Sequence, residues 1–161
     1  MKQKEVHFVY EVYQSIKGLN KVDANLLETA RSITATAYAP YSNFQVGAAA
    51  LLANGEIVNG SNQENASFPV GLCAERVLIS AISSFHPNTA IHTMAISYHN
   101  LNGESNHPIS PCGICRQSLL EYESRLQHPI RLIMSGMEGK VFIIPNAAML
   151  LPLSFTSDDL L

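Results

Sequence analysis

The chain has 161 residues, of which 47% are hydrophobic and 14% are charged, and its formal net charge is -3. This length is typical of one compact domain, and the negative net charge disfavours a nucleic-acid partner, since phosphate binding needs clustered lysine and arginine. The charged share is well below the roughly 25% of an average soluble protein, which indicates either burial between subunits or a surface of neutral polar residues.

The first elements predicted along the chain are a strand and a helix. Residues 5–13 are rich in Val, Phe and Tyr, which predicts a strand at the edge of the sheet. A helix is then expected to begin with Asp23 as its N-cap. Apolar residues continue at helical spacing until Ala39 and Pro40, where the proline ends the helix.

The next segment predicts a β-hairpin. Asn54 and Gly55 form the dipeptide that best suits a two-residue turn with positive φ at both positions. The strands on either side of this turn are expected at residues 46–53 and 56–60. The rest of the chain predicts helices at 73–83, 112–124 and 146–150, and strands at 91–98, 130–134 and 140–144.

This order interleaves strands and helices over one sheet. We expect an α/β fold, a three-layer α/β/α domain with a mixed sheet of about five strands, to which the N-terminal segment adds a further strand. Residues 1–21 form the predicted N-terminal extension, and residues 22–161 form the predicted catalytic domain.

The start of the chain and its cysteines favour a cytoplasmic protein. Residues 1–8 lack the apolar stretch and cleavage site of a secretory signal, and no apolar run approaches the length of a membrane span. Three cysteines are present, and they cannot all pair as disulfides. In a reducing compartment, a close cysteine pair is more often metal-binding or catalytic than a structural disulfide.

The cysteines lie in two motifs, each at the start of a predicted helix: CAER at 73–76 and SPCGICRQ at 110–117. Cys112 and Cys115 are three residues apart, so their sulfurs can point from one helical turn to a single ion, which Cys73 can reach from the other helix. Three thiolates can hold zinc and leave one tetrahedral position for water. Glu75 can then accept a proton from that water without binding the metal.

Zinc with three thiolates carries a net negative charge. Unless the protein offsets this charge, the zinc lowers the pKa of the bound water less. Two helix N-termini directed at the site supply partial positive charge. Arg76 and Gln117 are candidates to donate hydrogen bonds to the thiolates.

Two simpler interpretations of the cysteines are possible. One is a closed structural zinc site in which one of the six histidines is the fourth ligand. The other is a redox dithiol at Cys112 and Cys115, which leaves Cys73 and Glu75 without a role.

Three further segments stand out along the chain besides the cysteine motifs: PYSNFQVGAA at 40–49, NQENAS at 62–67 and LPLSF at 151–155. Together the five segments resemble the small homotetrameric zinc-dependent cytidine deaminases. The resemblance runs from about Tyr38 to the C-terminus, and the N-terminal strand through about Lys21 is not part of it. It implies one zinc ion per subunit and hydrolysis of cytidine and 2'-deoxycytidine to the uridines and ammonia in pyrimidine salvage.

The resemblance also implies roles for substrate-binding residues. Phe44 would pack against the nucleoside, while Asn62 and Glu64 would hydrogen-bond the ribose hydroxyls. The backbone of Ala74 would contact the pyrimidine carbonyl, and the carbonyl oxygen of Ser110 would accept a hydrogen bond from the departing amine.

Residues from neighbouring subunits are expected to complete the pocket. The resemblance assigns this part to Ala66, Phe68 and Phe155, and Phe68 stands where relatives often carry tyrosine. Two other functions stay open at this point: a deaminase of the same fold that acts on another aminated heterocycle, and a non-catalytic zinc-binding interaction module.

Overall fold

A computed structural model of the protein describes residues 1–160, so Leu161, at the end of the predicted catalytic domain and C-terminal tail, lies outside it. Three helices flank one sheet: α1 (Lys21–Ile33), α2 (Ala74–Phe85) and α3 (Gly113–Leu126). The strands are β1 (Glu11–Tyr13), β2 (Phe44–Leu52), β3 (Ile57–Ser61), β4 (Ile91–Asn100), β5 (Arg131–Ser135) and β6 (Val141–Ile144). Within residues 1–160, every helix is too short or too polar to span a bilayer.

The strands form one mixed sheet in the order β1-β6-β5-β4-β2-β3. Strands β4 and β5 are parallel, and the other neighbours are antiparallel. Helix α1 packs on one face, where Leu27 and Ala30 meet Ala49 and Ala95. Helices α2 and α3 pack on the opposite face, in the larger apolar cluster. The predicted α/β class and mixed sheet are confirmed, with five strands and the additional N-terminal one.

Strand β1 is shorter than the predicted strand at residues 5–13. It pairs with β6 only from Glu11 to Tyr13, opposite Ile143 to Val141. Strand β6 ends at Ile144, and the following residue is Pro145, which has no N–H to donate to a ladder. The residues before Glu11 therefore have no partner in the sheet, although the ring of Tyr10 packs against that of Phe142 at 5.1 Å.

Helix α1 starts earlier and ends earlier than predicted. Its N-cap is Asn20, whose side-chain oxygen accepts a hydrogen bond from the N–H of Asp23 at 3.0 Å. The carboxylate of Asp23 instead forms a two-point ion pair with Arg131 on β5, with both N···O distances at 2.8 Å. Near the end of the helix, the hydroxyl of Thr34 donates to the carbonyl of Arg31. Such side-chain bonds compete with helical ones, and the chain continues as a short 3₁₀ turn.

The predicted hairpin is present, but its turn differs. Gly55 has a φ of 86°, whereas Asn54 is not in the positive-φ region. The N–H of Gly55 donates to the carbonyl of Leu52, and the N–H of Leu52 donates to that of Glu56, both at 2.9 Å. These bonds define a three-residue loop in which a turn is followed by a left-handed glycine.

The other predicted elements lie within a few residues of their observed positions. Cys73 and Cys112 are N-caps rather than the first helical residues, so Pro111 precedes the cap of α3. The final predicted helix is a 3₁₀ turn at Ala147–Leu150, and a second such turn, Ser157–Leu160, lies in the tail.

A buried carboxylate fixes helix α3 to its neighbours. Glu123 is 6% exposed. Its Oε1 accepts hydrogen bonds from the N–H groups of Ile130 at 2.6 Å and Ala147 at 3.0 Å, and its Oε2 accepts one from Ala148 at 3.0 Å. One side chain thereby connects α3 to the start of β5 and to the last segment of the core.

We predict that Glu123→Ala lowers the free energy of unfolding by about 2 kcal/mol, because the buried N–H of Ile130 loses its acceptor. The N–H groups of Ala147 and Ala148 each lose one of two acceptors, since they also donate to the Ile130 carbonyl and to the Asn146 side chain. Denaturant titration measures this change. Glu121→Ala, on the exposed side of the same helix, is the matched control and should stay within about 0.5 kcal/mol of the parent. Equal losses in the two variants would contradict the anchoring role of Glu123.

Candidate active site

The three cysteines converge where α2 and α3 begin. Cys73 is the N-cap of α2, Cys112 is the N-cap of α3, and Cys115 lies in the first turn of α3. The Sγ atoms of Cys73 and Cys112 are 3.7 Å apart, and those of Cys112 and Cys115 are 3.5 Å apart. All three sulfurs lie within 4.8 Å of one another.

These separations fit a zinc ion. Zinc–sulfur bonds of about 2.3 Å in a tetrahedral arrangement place neighbouring sulfurs roughly 3.8 Å apart. Among residues 1–160, this metal-binding group contains three cysteines and no histidine, so it does not support a closed site with a histidine ligand. A dithiol confined to Cys112 and Cys115 does not account for the third sulfur beside them.

The surroundings of the sulfur cluster favour ionisation of Cys73. The pKa of Cys73 lies below that of an ordinary thiol, chiefly because of its hydrogen bond with the Cys115 thiol, and the nearby charge of Arg76 also lowers it. The same hydrogen bond and burial raise the pKa of Cys115. Arg76 thus acts on the cluster through its charge, and both helices direct their N-terminal N–H groups towards it.

Glu75 lies in the first turn of α2 and is 4% exposed. Loss of solvent is the largest effect on its carboxyl group and raises the pKa above the ordinary value, and the nearby Cys73 adds to the increase. The carboxyl group lines a cavity of about 520 Å³, and Cys73 and Cys112 line the same cavity. A buried carboxyl group beside the metal-binding sulfurs is well placed to carry protons.

Most of the residues expected to bind substrate also line this cavity. The structure brings together Phe44, Asn62, Glu64, Phe68, Ala74 and Ser110, which come from both strand ends and helix starts. Apolar side chains that the sequence did not single out complete its wall: Val46, Leu72, Ile109 and Ile114.

Asn62 and Glu64 are held by backbone groups at the cavity. The Asn62 side-chain oxygen accepts a hydrogen bond from the N–H of Val46 at 2.7 Å, and its amide nitrogen donates to the carbonyl of Phe44 at 2.9 Å. One N–H and one lone pair of this amide stay free for a ligand. The Glu64 carboxylate accepts from the N–H groups of Tyr41 at 2.9 Å and Ser42 at 3.3 Å.

Glu64 is ionised more readily than an ordinary carboxyl group. Desolvation alone would raise its pKa, but hydrogen bonds from the Ser42 hydroxyl and from the Tyr41 and Ser42 amides outweigh that effect and lower it. The carboxylate is therefore held as a hydrogen-bond acceptor beside the cavity.

Three expected residues lie elsewhere. The amide nitrogen of Gln117 donates to the carbonyl of Phe155 at 3.0 Å, so Gln117 anchors the C-terminal tail instead of a thiolate. Its position in the second turn of α3 explains the difference, because it projects past the sulfurs towards the tail. Ala66 and Phe155 are exposed and do not line the cavity of this single chain.

Two residues near the site were missed by the sequence analysis. The guanidinium of Arg116 donates to the carbonyl of Pro111 at 2.8 Å and to that of Leu150 at 3.0 Å, which fixes the segment before Cys112. The position of Arg116 directly after Cys115 in the sequence could have marked it as a residue near the site. Tyr98 stacks on Phe44, and nothing in its sequence surroundings marks it.

Comparisons with known proteins agree with this geometry. Residues 20–127 match the family model described as the cytidine and deoxycytidylate deaminase zinc-binding region. The cytidine deaminase of Mycobacterium tuberculosis is 40% identical over 114 residues, which cover 68% of this chain and 81% of that protein. That of Mycoplasma genitalium is 38% identical over 122 residues, covering 75% of this chain and 79% of that protein.

A solved structure is similar over nearly its whole length. The crystal structure of cytidine deaminase from Burkholderia pseudomallei is 36% identical in sequence and superposes with a TM-score of 0.70. The match covers 81% of this chain and 97% of that one. The similarity therefore extends beyond the cysteine motifs to the architecture that positions them.

We predict one zinc ion per chain in the purified protein and loss of most of it on Cys73→Ser, Cys112→Ser or Cys115→Ser, because each removes one of three thiolate ligands. Elemental analysis after dialysis measures the metal content. Ser118→Ala, on the same helix as Cys115 but with its hydroxyl bonded to the carbonyl of Ile114, should keep its zinc. Full retention by a cysteine variant would show that other atoms hold the ion.

Proposed function

This chain belongs to the cytidine and deoxycytidylate deaminase family, and from that membership we propose that it hydrolyses cytidine and 2'-deoxycytidine to uridine and 2'-deoxyuridine with release of ammonia. One observation carries the proposal: three thiols converge beside a single cavity of about 520 Å³, and two of them, Cys73 and Cys112, line it together with the buried carboxyl group of Glu75. The reaction would serve the salvage of pyrimidine nucleosides.

Cys73, Cys112 and Cys115 are the residues that would hold zinc, with the two helix N-termini offsetting the charge of their thiolates. Zinc bound there supplies Lewis acidity that lets a water molecule ionise near neutral pH and act as a nucleophile. Neither Glu75 nor Glu64 belongs to this ligand group within the described residues, so both carboxylates stay available for other contacts.

Glu75 is the proposed proton carrier. As the water oxygen bonds to C4 of the pyrimidine, the water proton passes through the Glu75 carboxylate to N3, and C4 becomes tetrahedral. Glu75 then moves the proton of the new hydroxyl to the amine nitrogen. The bond from C4 to nitrogen breaks, ammonia leaves, and the C4 carbonyl of uridine forms, so one water is consumed for each ammonia released.

The other cavity residues would orient the nucleoside. Phe44 offers an aromatic face for packing, and Asn62 and Glu64 offer an amide and an ionised carboxylate to the ribose hydroxyls. Ala74 is the first residue of α2, so its N–H has no acceptor within the helix and can donate to the pyrimidine carbonyl. The carbonyl of Ser110 would accept a hydrogen bond from the amine as it departs.

The division into an extension at residues 1–21 and a catalytic domain at 22–161 is likewise a proposal. The family match begins at residue 20, and helix α1 begins at Lys21. The short strand β1 adds only to the outer edge of β6, away from the cysteine cluster on α2 and α3. A cytoplasmic location also suits the site, because thiolate ligands have to remain reduced.

We expect Glu75→Gln to keep its zinc and to lose at least 10²-fold in kcat for cytidine, because an amide cannot relay the protons that the reaction moves. Ammonia release and the absorbance change of cytidine both measure turnover, and elemental analysis measures the zinc. Glu121→Gln, which replaces an exposed carboxyl group, is the control and should keep the parent rate.

Near-normal turnover by Glu75→Gln with zinc bound would contradict the proton-carrier role. The parent enzyme should also release ammonia from cytidine far faster than from free cytosine, because only the nucleoside can use Asn62 and Glu64. A preference for the free base would instead favour a deaminase of another aminated heterocycle.

A homotetramer with composite active sites is the proposed assembly. Large apolar side chains stay exposed around the cavity mouth, where Phe68 (75% exposed) meets Tyr41 at a ring distance of 6.0 Å and Ile114 lies on the same cavity. Such an apolar rim is typical of a surface that another chain covers. Ala66 and Phe155 would then reach a neighbouring chain's cavity.

Sedimentation equilibrium should give a mass four times the 17.6 kDa of one chain. Phe68→Glu should shift this mass towards smaller species, because a charge replaces an apolar contact at the proposed interface. Phe85→Glu, at the equally exposed end of α2, should leave the mass unchanged. A parent protein that sediments as a single chain would refute the assembly.

A further inference from the structure

Tyr98 does not line the cavity, but it contacts Phe44, which does, and His107, which lies shortly before Ser110. It lies on β4 directly opposite Val46 of β2, so Phe44 is its diagonal neighbour across the strand pair. The two rings are nearly parallel, with centroids 4.9 Å apart and an interplanar angle of 14°. Because Tyr98 is 1% exposed and Phe44 lines the cavity, Tyr98 supports the cavity wall from behind.

The hydroxyl of the same side chain reaches the segment that leads to Ile109 and Ser110, which also line the cavity. Tyr98 Oη lies 3.2 Å from His107 Nδ1 in a hydrogen bond whose donor depends on the histidine tautomer. The two rings also meet edge to face at 5.7 Å. His107 is three residues before Ser110, which lines the cavity, and five residues before Cys112.

The segment that carries Ser110 is fixed at its two ends. The hydroxyl of Ser105 accepts a hydrogen bond from the N–H of Asn100 at 2.8 Å, and Arg116 holds the carbonyl of Pro111. The Tyr98 hydroxyl holds His107 between these anchors. Tyr98 therefore connects the aromatic wall on β2 with the loop wall at Ile109 and Ser110.

We propose that Tyr98 and His107 are a positioning pair that sets the separation between Phe44 and the Ser110 segment. This role rests on the proposed function, because the separation is then the width of the slot that takes the pyrimidine ring. A planar ring binds well only when both walls are within contact distance, and small displacements of positioning groups are costly. Neither residue touches the reacting atoms.

The chain contains a matched control for a purely structural role. Tyr122 on α3 is also buried, at 3% exposed, and its hydroxyl donates to the carbonyl of Thr89 at 2.7 Å. It does not line the cavity. Tyr122→Phe therefore removes the same kind of bond as Tyr98→Phe from a place where no substrate contact depends on it.

The experiment compares steady-state kinetics of the zinc-loaded enzymes with cytidine, and uridine binding by calorimetry. Tyr98→Phe and His107→Ala should each raise KM by roughly 3- to 10-fold, as expected for the loss of about one hydrogen bond, with kcat within twofold. The Kd for uridine should rise by the same factor. Tyr122→Phe should leave KM and Kd within twofold of the parent.

The double variant Tyr98→Phe/His107→Ala tests whether the two residues act together. Its KM should not exceed that of the worse single variant, because either change already breaks the shared bond. The pairing is wrong if either single variant keeps the parent KM, if the two effects multiply, or if Tyr122→Phe raises KM as much. If the parent enzyme does not deaminate cytidine, the proposed function itself is wrong, and this result is distinct from a failure of the positioning pair.

Discussion

The site depends on the close approach of two helix N-termini on one face of the sheet. Cys73 and Cys112 cap these helices, so a shift of α2 against α3 changes the distances between the sulfurs. The seating of α2 is tight. A Cβ on Gly60 of β3 would lie 2.8 Å from the N of Leu78 and 3.0 Å from the carbonyl oxygen of Ala74, so only glycine allows this approach.

Helix α3 is held differently, by polar contacts with backbone groups. Near the C-terminal end of the helix, Glu123 accepts hydrogen bonds from three N–H groups. Near the start of the helix, Arg116 donates to two carbonyl oxygens. Both side chains satisfy backbone groups of irregular segments that have no ladder partner, so they fix the helix and its loops at once. The hydrogen bonds that Glu123 accepts offset the cost of burying its carboxyl group, and the same bonds fix the position of a ligand-bearing helix.

The sequence was most informative where chemistry requires particular residue types. Cys73, Cys112, Cys115 and Glu75 could be singled out because few side chains bind zinc or carry protons, and the structure places their groups together. The short length of β1 and the ion-pair role of Asp23 could not be predicted, since both depend on distant partners, the length of β6 and the position of Arg131 on β5. The bond from Gln117 to Phe155 could not be predicted, because helical spacing does not reveal that the C-terminal tail returns to meet α3.

The cavity combines rigid and adaptable parts, and their distribution follows the chemistry. The sulfurs and Glu75 belong to the first turns of packed helices, where proton transfer requires fixed distances. Glu64 and Asn62 lie after the end of β3 and depend on hydrogen bonds to loop and strand-end backbone at residues 41–46. In the proposed reaction these two residues would meet sugar hydroxyls, which tolerate more variation in hydrogen-bond angle than a reacting carbon does. The open, apolar side of the cavity around Phe68 needs only to exclude water. A surface from a second chain can do this as well as one from the same chain.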